Sequence, residues 1–247
     1  MQNVKLKAPE EKIISLSFNQ DFSLFTMGTE NGFKIFNTFP FNKGYDKPLN
    51  GGISKCEMLY RSNYLALIGG GKTPKYNINK VVLYDDAQES IQSEFKFITP
   101  VLNVKLKKNL IFIVCETKLY VFNLQNTQNI DCFDTSINKR GLIAISGSPD
   151  KTIIAYPIDF ENKKKGFVSI KNYKNSQCFP QNVQDDDISC MAIDYNGLLL
   201  ATSNEKGTII RIHSCKDGTL LQECKGCKEK AEISYMCFDI NYKYFGI

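Results

Sequence analysis

The sequence predicts an all-β fold, a β-propeller of the WD-repeat type built from four-stranded blades. Three observations support this prediction. One repeat recurs five times: an apolar run, a short polar turn with Gly or charged residues, and a second run of alternating apolar residues. The spacing of these repeats matches the ~40–45 residues of a propeller blade. No long stretch has the 3.6-residue apolar period of a helix.

Each repeat is predicted to be a β-hairpin, because its two runs are rich in β-branched and aromatic residues around a short turn. A further strand-like segment precedes several of the hairpins, as a four-stranded blade requires. An ordinary β-sandwich is the alternative on pattern alone. The hairpins are predicted at 24–36, 64–84, 110–122, 141–156 and 197–212, and the preceding strands at 13–18, 101–106 and 188–193.

The organisation along the chain indicates a single β-propeller domain over residues 1–247. Two polar, turn-rich stretches, 39–54 and 161–187, are predicted as loops rather than domain boundaries. After the fifth hairpin, 219–224 is predicted as an outer strand, and 233–238 opens a sixth blade that is not finished. We therefore expect about five complete blades and a partial sixth.

Composition narrows the class of protein. The 31 basic and 26 acidic residues give a net charge of +5, which is too weak to indicate nucleic-acid binding. The charged start MQNVKLKAPEEK does not fit a signal peptide, and no apolar stretch approaches the ~18 residues needed to cross a bilayer. Nine Cys, several within apolar runs, indicate buried free thiols in a reducing compartment. We expect a cytoplasmic protein.

Enzymatic and metal chemistry have little support. The chain has a single histidine, His213, so we expect neither a His-dependent catalytic site nor a metal site. Cys224-x-x-Cys227 follows a strand and has no second pair nearby. The GGGKT stretch at 69–73 lacks phosphate-loop spacing and is predicted to be a turn. Asp185-Asp186-Asp187 and Lys163-Lys164-Lys165 are predicted as solvated loops, and no cofactor is expected.

Several segments resemble the PROPPIN family, the WIPI-type WD-repeat proteins that bind phosphoinositides in autophagy. The GGG loop and the YDD pattern are most similar to the smaller WIPI subfamilies. The resemblance implies a non-enzymatic propeller of seven blades, which needs ~280–315 residues, so the chain is expected to be truncated at its C-terminal side. The segments that carry the resemblance are 18–38, 57–86, 95–124, 132–146 and 201–212.

The resemblance also implies a phosphoinositide site. The family motif Phe/Leu-Arg-Arg-Gly places two arginines on opposite sides of a strand, each for one headgroup pocket. Aligned without gaps, the motif here is Cys224-Lys225-Gly226-Cys227. Lys225 then takes the first arginine position and keeps a charge, whereas Gly226 takes the second and keeps none. A frame shifted by one residue would make Gly226 the family glycine, but it puts Glu223 in the apolar position.

Other residues of the first pocket are expected on the fifth blade. Thr208 and Arg211 match the family stretch Gly-Thr-x-Ile-Arg, Asn204 replaces its serine, and the family histidine falls at Gln184. The alternative is that Thr208 and Arg211 only stabilise the turn of the blade. The second pocket is drawn mostly from a sixth blade that this chain does not complete.

A partner surface is implied on the first blade. Asn19, Gln20 and Asp21 match the family stretch near which related proteins dock an autophagy lipid-transfer partner. The alternative is a polar turn held by Asx-type hydrogen bonds.

The leading hypothesis is a non-enzymatic WIPI-like autophagy adaptor that recruits a lipid-transfer or scaffold protein at phosphoinositide-containing membranes, with weakened 3-phosphoinositide binding. It would be cytoplasmic, with recruitment to autophagosomal or endosomal membranes by peripheral contact. One alternative is a genuine peripheral sensor of phosphatidylinositol 3-phosphate or 3,5-bisphosphate. A pure interaction scaffold or a nonfunctional fragment is the other.

Overall fold

Every regular element of the described chain is a β-strand. The structure, a computed structural model, describes residues 12–161, 165–226, 228–241 and 244–247. Five sheets have four antiparallel strands that are neighbours in chain order, and a sixth sheet has two strands. This confirms the all-β prediction of five full blades and a partial sixth. No helix among the described residues is long and apolar enough to span a bilayer.

The first of two compact units ends at Ile98 and holds blades 1 and 2. Leu24 and Phe33 of blade 1 pack with Met58, Leu65 and Tyr84 of blade 2 in one buried apolar cluster. Burial of these side chains removes apolar area from water and is the main stabilising contribution between the blades. The strands are β1 (Ile13–Phe18), β2 (Leu24–Thr29), β3 (Gly32–Asn37), β4 (Asn42–Pro48), β5 (Ile53–Met58), β6 (Tyr64–Gly69), β7 (Lys80–Asp85) and β8 (Ser90–Lys96).

The second unit begins at Thr99 and holds blades 3, 4 and 5 with the partial sixth. Separate buried clusters join blade 3 to blade 4, blade 4 to blade 5, and blade 5 to the last segment of the chain. Its strands are β9 (Val101–Lys107), β10 (Leu110–Cys115), β11 (Lys118–Asn123), β12 (Asn129–Asp134), β13 (Ala144–Ile145), β14 (Ile153–Pro157), β15 (Phe167–Asn172), β16 (Gln177–Asn182), β17 (Ile188–Ile193), β18 (Leu199–Asn204), β19 (Ile209–Ser214), β20 (Leu220–Lys225), β21 (Cys237–Phe238) and β22 (Phe245–Gly246).

The prediction of loops at 39–54 and 161–187 was wrong. The first stretch contains β4, and the second contains β15 and β16. Strands β4 and β16 are the outer strands of their blades, and most of their residues are exposed or half-buried. Because an outer strand buries little on either face, its sequence lacks the apolar alternation that predicts a strand.

The fourth predicted hairpin, 141–156, was assigned to the wrong pair of strands. In blades 1, 2, 3 and 5 the predicted hairpin joins the second and third strands, whereas here it joins β13 and β14, the first and second. Strand β13 has only two residues, Ala144 and Ile145. The third strand of this blade is β15, which lay in the predicted loop.

The GGGKT stretch forms the loop between β6 and β7, as predicted for a turn. Its backbone N–H groups are used within the fold: Gly70 donates to Gly52 O over 3.1 Å, and Lys72 donates to a carboxylate oxygen of Glu30 over 2.8 Å. These amides are therefore not arranged to cradle a phosphate.

Blade 1 carries a phenylalanine row on the face opposite its contact with blade 2. Phe18, Phe25 and Phe36 lie opposite one another on β1, β2 and β3. The rings of Phe25 and Phe36 stack with centroids 5.0 Å apart, and Phe41 stacks on Phe36 at 5.9 Å. Phe41 is 72% exposed and Phe18 is 38% exposed.

The same row is buried in blade 2. Met58, Leu65 and Tyr84 occupy the equivalent register positions, and none of them is more than 5% exposed, because blade 1 covers them. The phenylalanine row is therefore the kind of surface that a neighbouring blade covers elsewhere in the chain.

Candidate functional site

The turn between β18 and β19 is closed by Asn204. Its side-chain oxygen accepts hydrogen bonds from the backbone N–H groups of Thr208 and Ile209, at 2.9 and 3.1 Å. Its amide nitrogen donates to the Thr208 hydroxyl over 3.1 Å. Asn204 is buried, and its hydrogen bonds serve the turn itself. Thr208 is half-buried, and its hydroxyl, which accepts from Asn204, keeps a proton that it can donate.

Arg211 on β19 is held between two carboxylates. Its Nε donates to Glu223 over 2.8 Å, and one Nη donates to Asp185 over 2.8 Å. The arginine side chain is only 16% exposed, whereas that of Asp185 is 74% exposed. The hydrogen bond from Arg211 lowers the pKa of Asp185, so this carboxylate is ionised at neutral pH. Arg211 thus links the outer strand of blade 5 to the segment that enters the blade.

Lys225 lies on the same face of the sheet as Arg211. In the register of β19 and β20, Glu223 lies opposite Arg211 and Lys225 lies opposite Ile209. Residues two apart on a strand share a face, and so do directly opposed residues. Lys225 is exposed at the end of β20. The fold therefore brings Lys225, Arg211 and the Thr208 turn together at one edge of blade 5.

Gly226 approaches the backbone of the neighbouring turn closely. Its N–H donates to Thr208 O over 2.8 Å, and a Cβ built on it would lie 2.2 Å from Gly207 O. No real Cβ tolerates that distance from a carbonyl oxygen, so only glycine fits here without movement of the backbone. Cys227, the other half of the predicted Cys-x-x-Cys pair, lies outside the described residues.

An acidic segment, Asp185-Asp186-Asp187, borders the same edge. Asp185 pairs with Arg211, Asp186 lies 3.9 Å from Lys206 Nζ, and Asp187 lies 2.7 Å from Lys165 Nζ. Sequence reasoning missed Asp185 and Glu223 as the partners of Arg211, because the first depends on a chain turn and the second on strand register. Lys163 and Lys164 of the predicted basic loop lie outside the described residues.

Two buried polar residues lie behind this edge. Gln184 is 1% exposed, and its amide donates to Thr202 O and to Thr202 Oγ1, each over 3.0 Å. His213 is 2% exposed, and within the described chain its Nδ1 has no hydrogen-bond partner. Burial, with the positive charge of Arg211, lowers the pKa of His213 to about 4.

The predicted partner residues lie in the turn between β1 and β2. Asn19 is buried; its amide donates to Tyr60 O over 3.2 Å, and its oxygen accepts from Leu24 N over 3.1 Å. Gln20 donates to Met58 O over 2.8 Å and accepts from Tyr60 N over 2.6 Å. These two side chains join the turn of blade 1 to the corresponding turn of blade 2.

Asp21 is the half-buried member of this turn. Its Oδ1 accepts from Ser23 N over 3.0 Å and from Ser23 Oγ over 2.6 Å, which is Asx-type hydrogen bonding. Partial burial acts to raise the pKa of Asp21, but the hydrogen bonds from Ser23 outweigh it and lower that pKa.

No group of three or more His, Cys, Asp or Glu side chains among the described residues is arranged to hold a metal ion. The eight cysteines that the structure describes are free thiols. Burial raises the pKa of Cys215 to about 12, which leaves this thiol unreactive at neutral pH.

Known relatives match nearly the whole chain. The PROPPIN family model matches residues 12–246. Autophagy-related protein 18e of Arabidopsis thaliana is 32% identical over 236 residues, which are 94% of this chain and 62% of that protein. SVP1-like protein 2 of Saccharomyces cerevisiae is 31% identical over 266 residues, 93% of this chain and 59% of that protein.

Solved structures share the fold. Hsv2 of Kluyveromyces lactis has a TM-score of 0.80 at 17% identity, over 96% of this chain and 71% of that one. A complex of KlAtg21 with the coiled coil of AgAtg16 matches with a TM-score of 0.78 at 21% identity, over 95% of this chain and 77% of that one. The chain spans about three fifths of the length of the two curated relatives. The extent of the family match confirms the resemblance: this chain belongs to the PROPPIN family.

Proposed function

We propose that this chain is a non-enzymatic adaptor of autophagy that recruits protein partners at phosphoinositide-containing membranes and binds 3-phosphoinositides weakly. The observation that carries the proposal is the edge of blade 5, where Lys225 and Arg211 share one face beside the Thr208 turn, in a chain of the PROPPIN family. We place the protein in the cytoplasm, with peripheral recruitment to autophagosomal or endosomal membranes.

Weak binding follows from the donors at this edge. Arginine grips a phosphate well when its planar fork is free to donate two parallel hydrogen bonds. Arg211 already donates from its Nε and one Nη to carboxylates. Lys225 supplies a charge without a fork, and Gly226 supplies none. One lysine and one occupied arginine make a poorer headgroup site than two arginines that are both free.

The close approach of Gly226 bears on how the family motif is aligned. We expect the backbone to require a glycine at the glycine position of the motif. Gly226 meets this requirement, which supports the frame shifted by one residue. In that frame Lys225 stands at the second arginine position and Cys224 at the first. In that frame the family pattern would assign Lys225 to the second pocket, so its role in this site rests on the strand register, which places it on the face of Arg211.

The partner surface is proposed at the turn of Asn19, Gln20 and Asp21. Asn19 and Gln20 act as positioning residues, since their amides join two turns. Asp21 is then the residue through which the turn contacts a partner. The KlAtg21 complex suggests an Atg16-type coiled coil as the first partner to test.

The lipid site is tested by flotation with liposomes that contain phosphatidylinositol 3-phosphate, beside liposomes matched in charge with phosphatidylserine. We expect weak flotation that depends on phosphatidylinositol 3-phosphate. Lys225→Ala should reduce it about fivefold, because a basic residue near an anionic surface contributes ~1 kcal/mol. Lys118→Ala is the matched control, since Lys118 is an exposed strand lysine paired with Asp134.

An equal loss of flotation in both variants would mean that only net charge matters, and it would contradict a headgroup site at Lys225. Strong flotation that Lys225→Ala abolishes would favour the genuine membrane sensor. No flotation by the folded protein would leave a protein-binding scaffold.

A further inference from the structure

Three carboxylates in a row are paired with three different basic side chains in the second unit. Asp185 pairs with Arg211 at 2.8 Å, Asp186 with Lys206 at 3.9 Å, and Asp187 with Lys165 at 2.7 Å. In the sequence, Asp185-Asp186-Asp187 was predicted as a solvated acidic turn. The segment is an exposed bend, as predicted, and each carboxylate also has a cationic partner on another element.

The paired cations belong to the proposed headgroup site or border it. Arg211 is the only arginine of that site, and Lys206 lies in the turn that Asn204 closes onto Thr208. The side chains of Asp185, Asp186 and Asp187 are 74%, 49% and 48% exposed. Asp185, the most exposed of the three, contacts the Arg211 guanidinium, and the Arg211 side chain is itself only 16% exposed. An approaching anion therefore meets carboxylates before it meets the guanidinium.

The acidic segment is fixed at both ends, so its carboxylates are held in place. Val183 N and Gln184 N both donate to Gly166 O, at 2.8 and 3.2 Å, and the Gln184 side chain is bound to Thr202. On the other side Ile188 is buried at the start of β17. Gly166 has a φ of 73°, and a Cβ on it would lie 1.8 Å from Gln184 O, so this anchor requires glycine.

We infer that Asp185-Asp186-Asp187 is a built-in counter-anion that competes with a phosphate headgroup for Arg211, Lys206 and Lys165. This inference rests on the proposed function and assigns the weakness of the site to its own acidic residues as well as to the altered motif. A headgroup binds by taking the basic side chains from the carboxylates, while the backbone of the segment stays anchored, and the ion pairs form again when the headgroup leaves. The exchange also sets specificity, because a headgroup with two phosphate groups replaces more carboxylate charge than a headgroup with one.

The test compares the wild-type chain with the triple variant Asp185→Asn, Asp186→Asn, Asp187→Asn. Asparagine keeps the shape of each side chain but removes its charge. The probes are vesicles with phosphatidylinositol 3-phosphate, vesicles with phosphatidylinositol 3,5-bisphosphate, and vesicles matched in charge with phosphatidylserine. Exposed ion pairs contribute little each, so release of three pairs should tighten phosphatidylinositol 3-phosphate binding about three- to tenfold. The bisphosphate should gain at least as much, because it must displace as many carboxylates or more.

Neutralising three acids also makes the protein more basic, so the control must do the same elsewhere. The triple variant Glu89→Gln, Glu116→Gln, Asp134→Asn removes three exposed acids, of which Glu89 and Asp134 are paired with lysines. It should leave phosphoinositide binding within about twofold of wild type, because Arg211, Lys206 and Lys165 are paired with other acids.

The outcomes separate the two proposals. If the aspartate variant binds no more tightly than wild type, or gains only as much as the control, the counter-anion proposal is overturned. The proposed headgroup site is then unaffected. A gain on phosphatidylserine vesicles as large as on phosphoinositide vesicles also overturns it. Absence of binding by wild type and variant alike, with both folded by circular dichroism, overturns the headgroup site and the counter-anion together.

Discussion

Replacing His213 by leucine should remove a pH-dependent part of the stability of this protein. His213 is buried on β19, opposite Leu200 and Leu220, and its Nδ1 has no hydrogen-bond partner among the described residues. Burial favours the neutral ring, so the folded protein resists protonation that the unfolded chain accepts. It is also the only histidine, so no other side chain of this type titrates in the same range.

The size of the effect follows from the pKa. The value falls from 6.5 to about 4 on folding. At ~1.4 kcal/mol per pH unit, this difference corresponds to at most about 3.5 kcal/mol. The stability is fully present above pH 6.5 and is lost as pH falls toward about 4, because only the unfolded state gains a proton in that window.

The assay is urea unfolding of the wild-type protein and His213→Leu at a series of pH values across this window. Subtracting the two free energies of unfolding cancels the titration of carboxylates that both proteins share. We expect the wild-type protein to lose about 2 to 3 kcal/mol relative to the variant between the top and the bottom of the window. Parallel pH profiles would refute the reasoning, because they would mean that His213 has the same pKa in the folded and unfolded states.

Two further stability predictions concern single buried contacts. Lys107 is buried and donates to the carbonyl oxygens of Ser146 and Ser148, so Lys107→Met should lower the free energy of unfolding by about 2 kcal/mol in urea, whereas exposed Lys108→Met should not. Gly226→Ala should lower the melting temperature by several degrees, because its Cβ would lie 2.2 Å from a carbonyl oxygen. Gly44→Ala, whose Cβ would meet nothing closer than 3.5 Å, is its control, and equal losses in the two would contradict the steric argument.

The inner strands of the blades were predictable because they are buried on both faces. Strands β6 and β10 are continuous apolar runs with most side chains fully buried, and the sequence shows this directly. Outer strands gave no such signal. All six residues of β16 are exposed or half-buried, and one of them is proline. The first strand of blade 4, β13, has only two residues. The predicted fourth hairpin was therefore assigned to the second and third strands of the blade, although it joins the first and second.

The residues of the candidate site could be predicted from the sequence, but the ion pairs that hold them could not. Thr208 and Arg211 could be identified because they match the family stretch Gly-Thr-x-Ile-Arg. The pairing of Arg211 with Glu223 depends on the register of two strands, and that with Asp185 depends on the course of the chain before β17. Neither is encoded in local sequence. The buried state of Asn19 and Gln20 also could not be foreseen, because both side chains bond to a turn about 40 positions away.

The phenylalanine row of blade 1 has a consequence for how this polypeptide behaves in a test tube. The stacked aromatic rings form a solvent-exposed apolar patch, and a contiguous apolar surface of this kind promotes self-association. The chain should therefore bind the dye ANS in its folded state and elute earlier from a sizing column as its concentration rises. A mild detergent should reverse both effects. Phe41→Ser, which removes a ring that is 72% exposed, should weaken the dye signal without lowering the melting temperature.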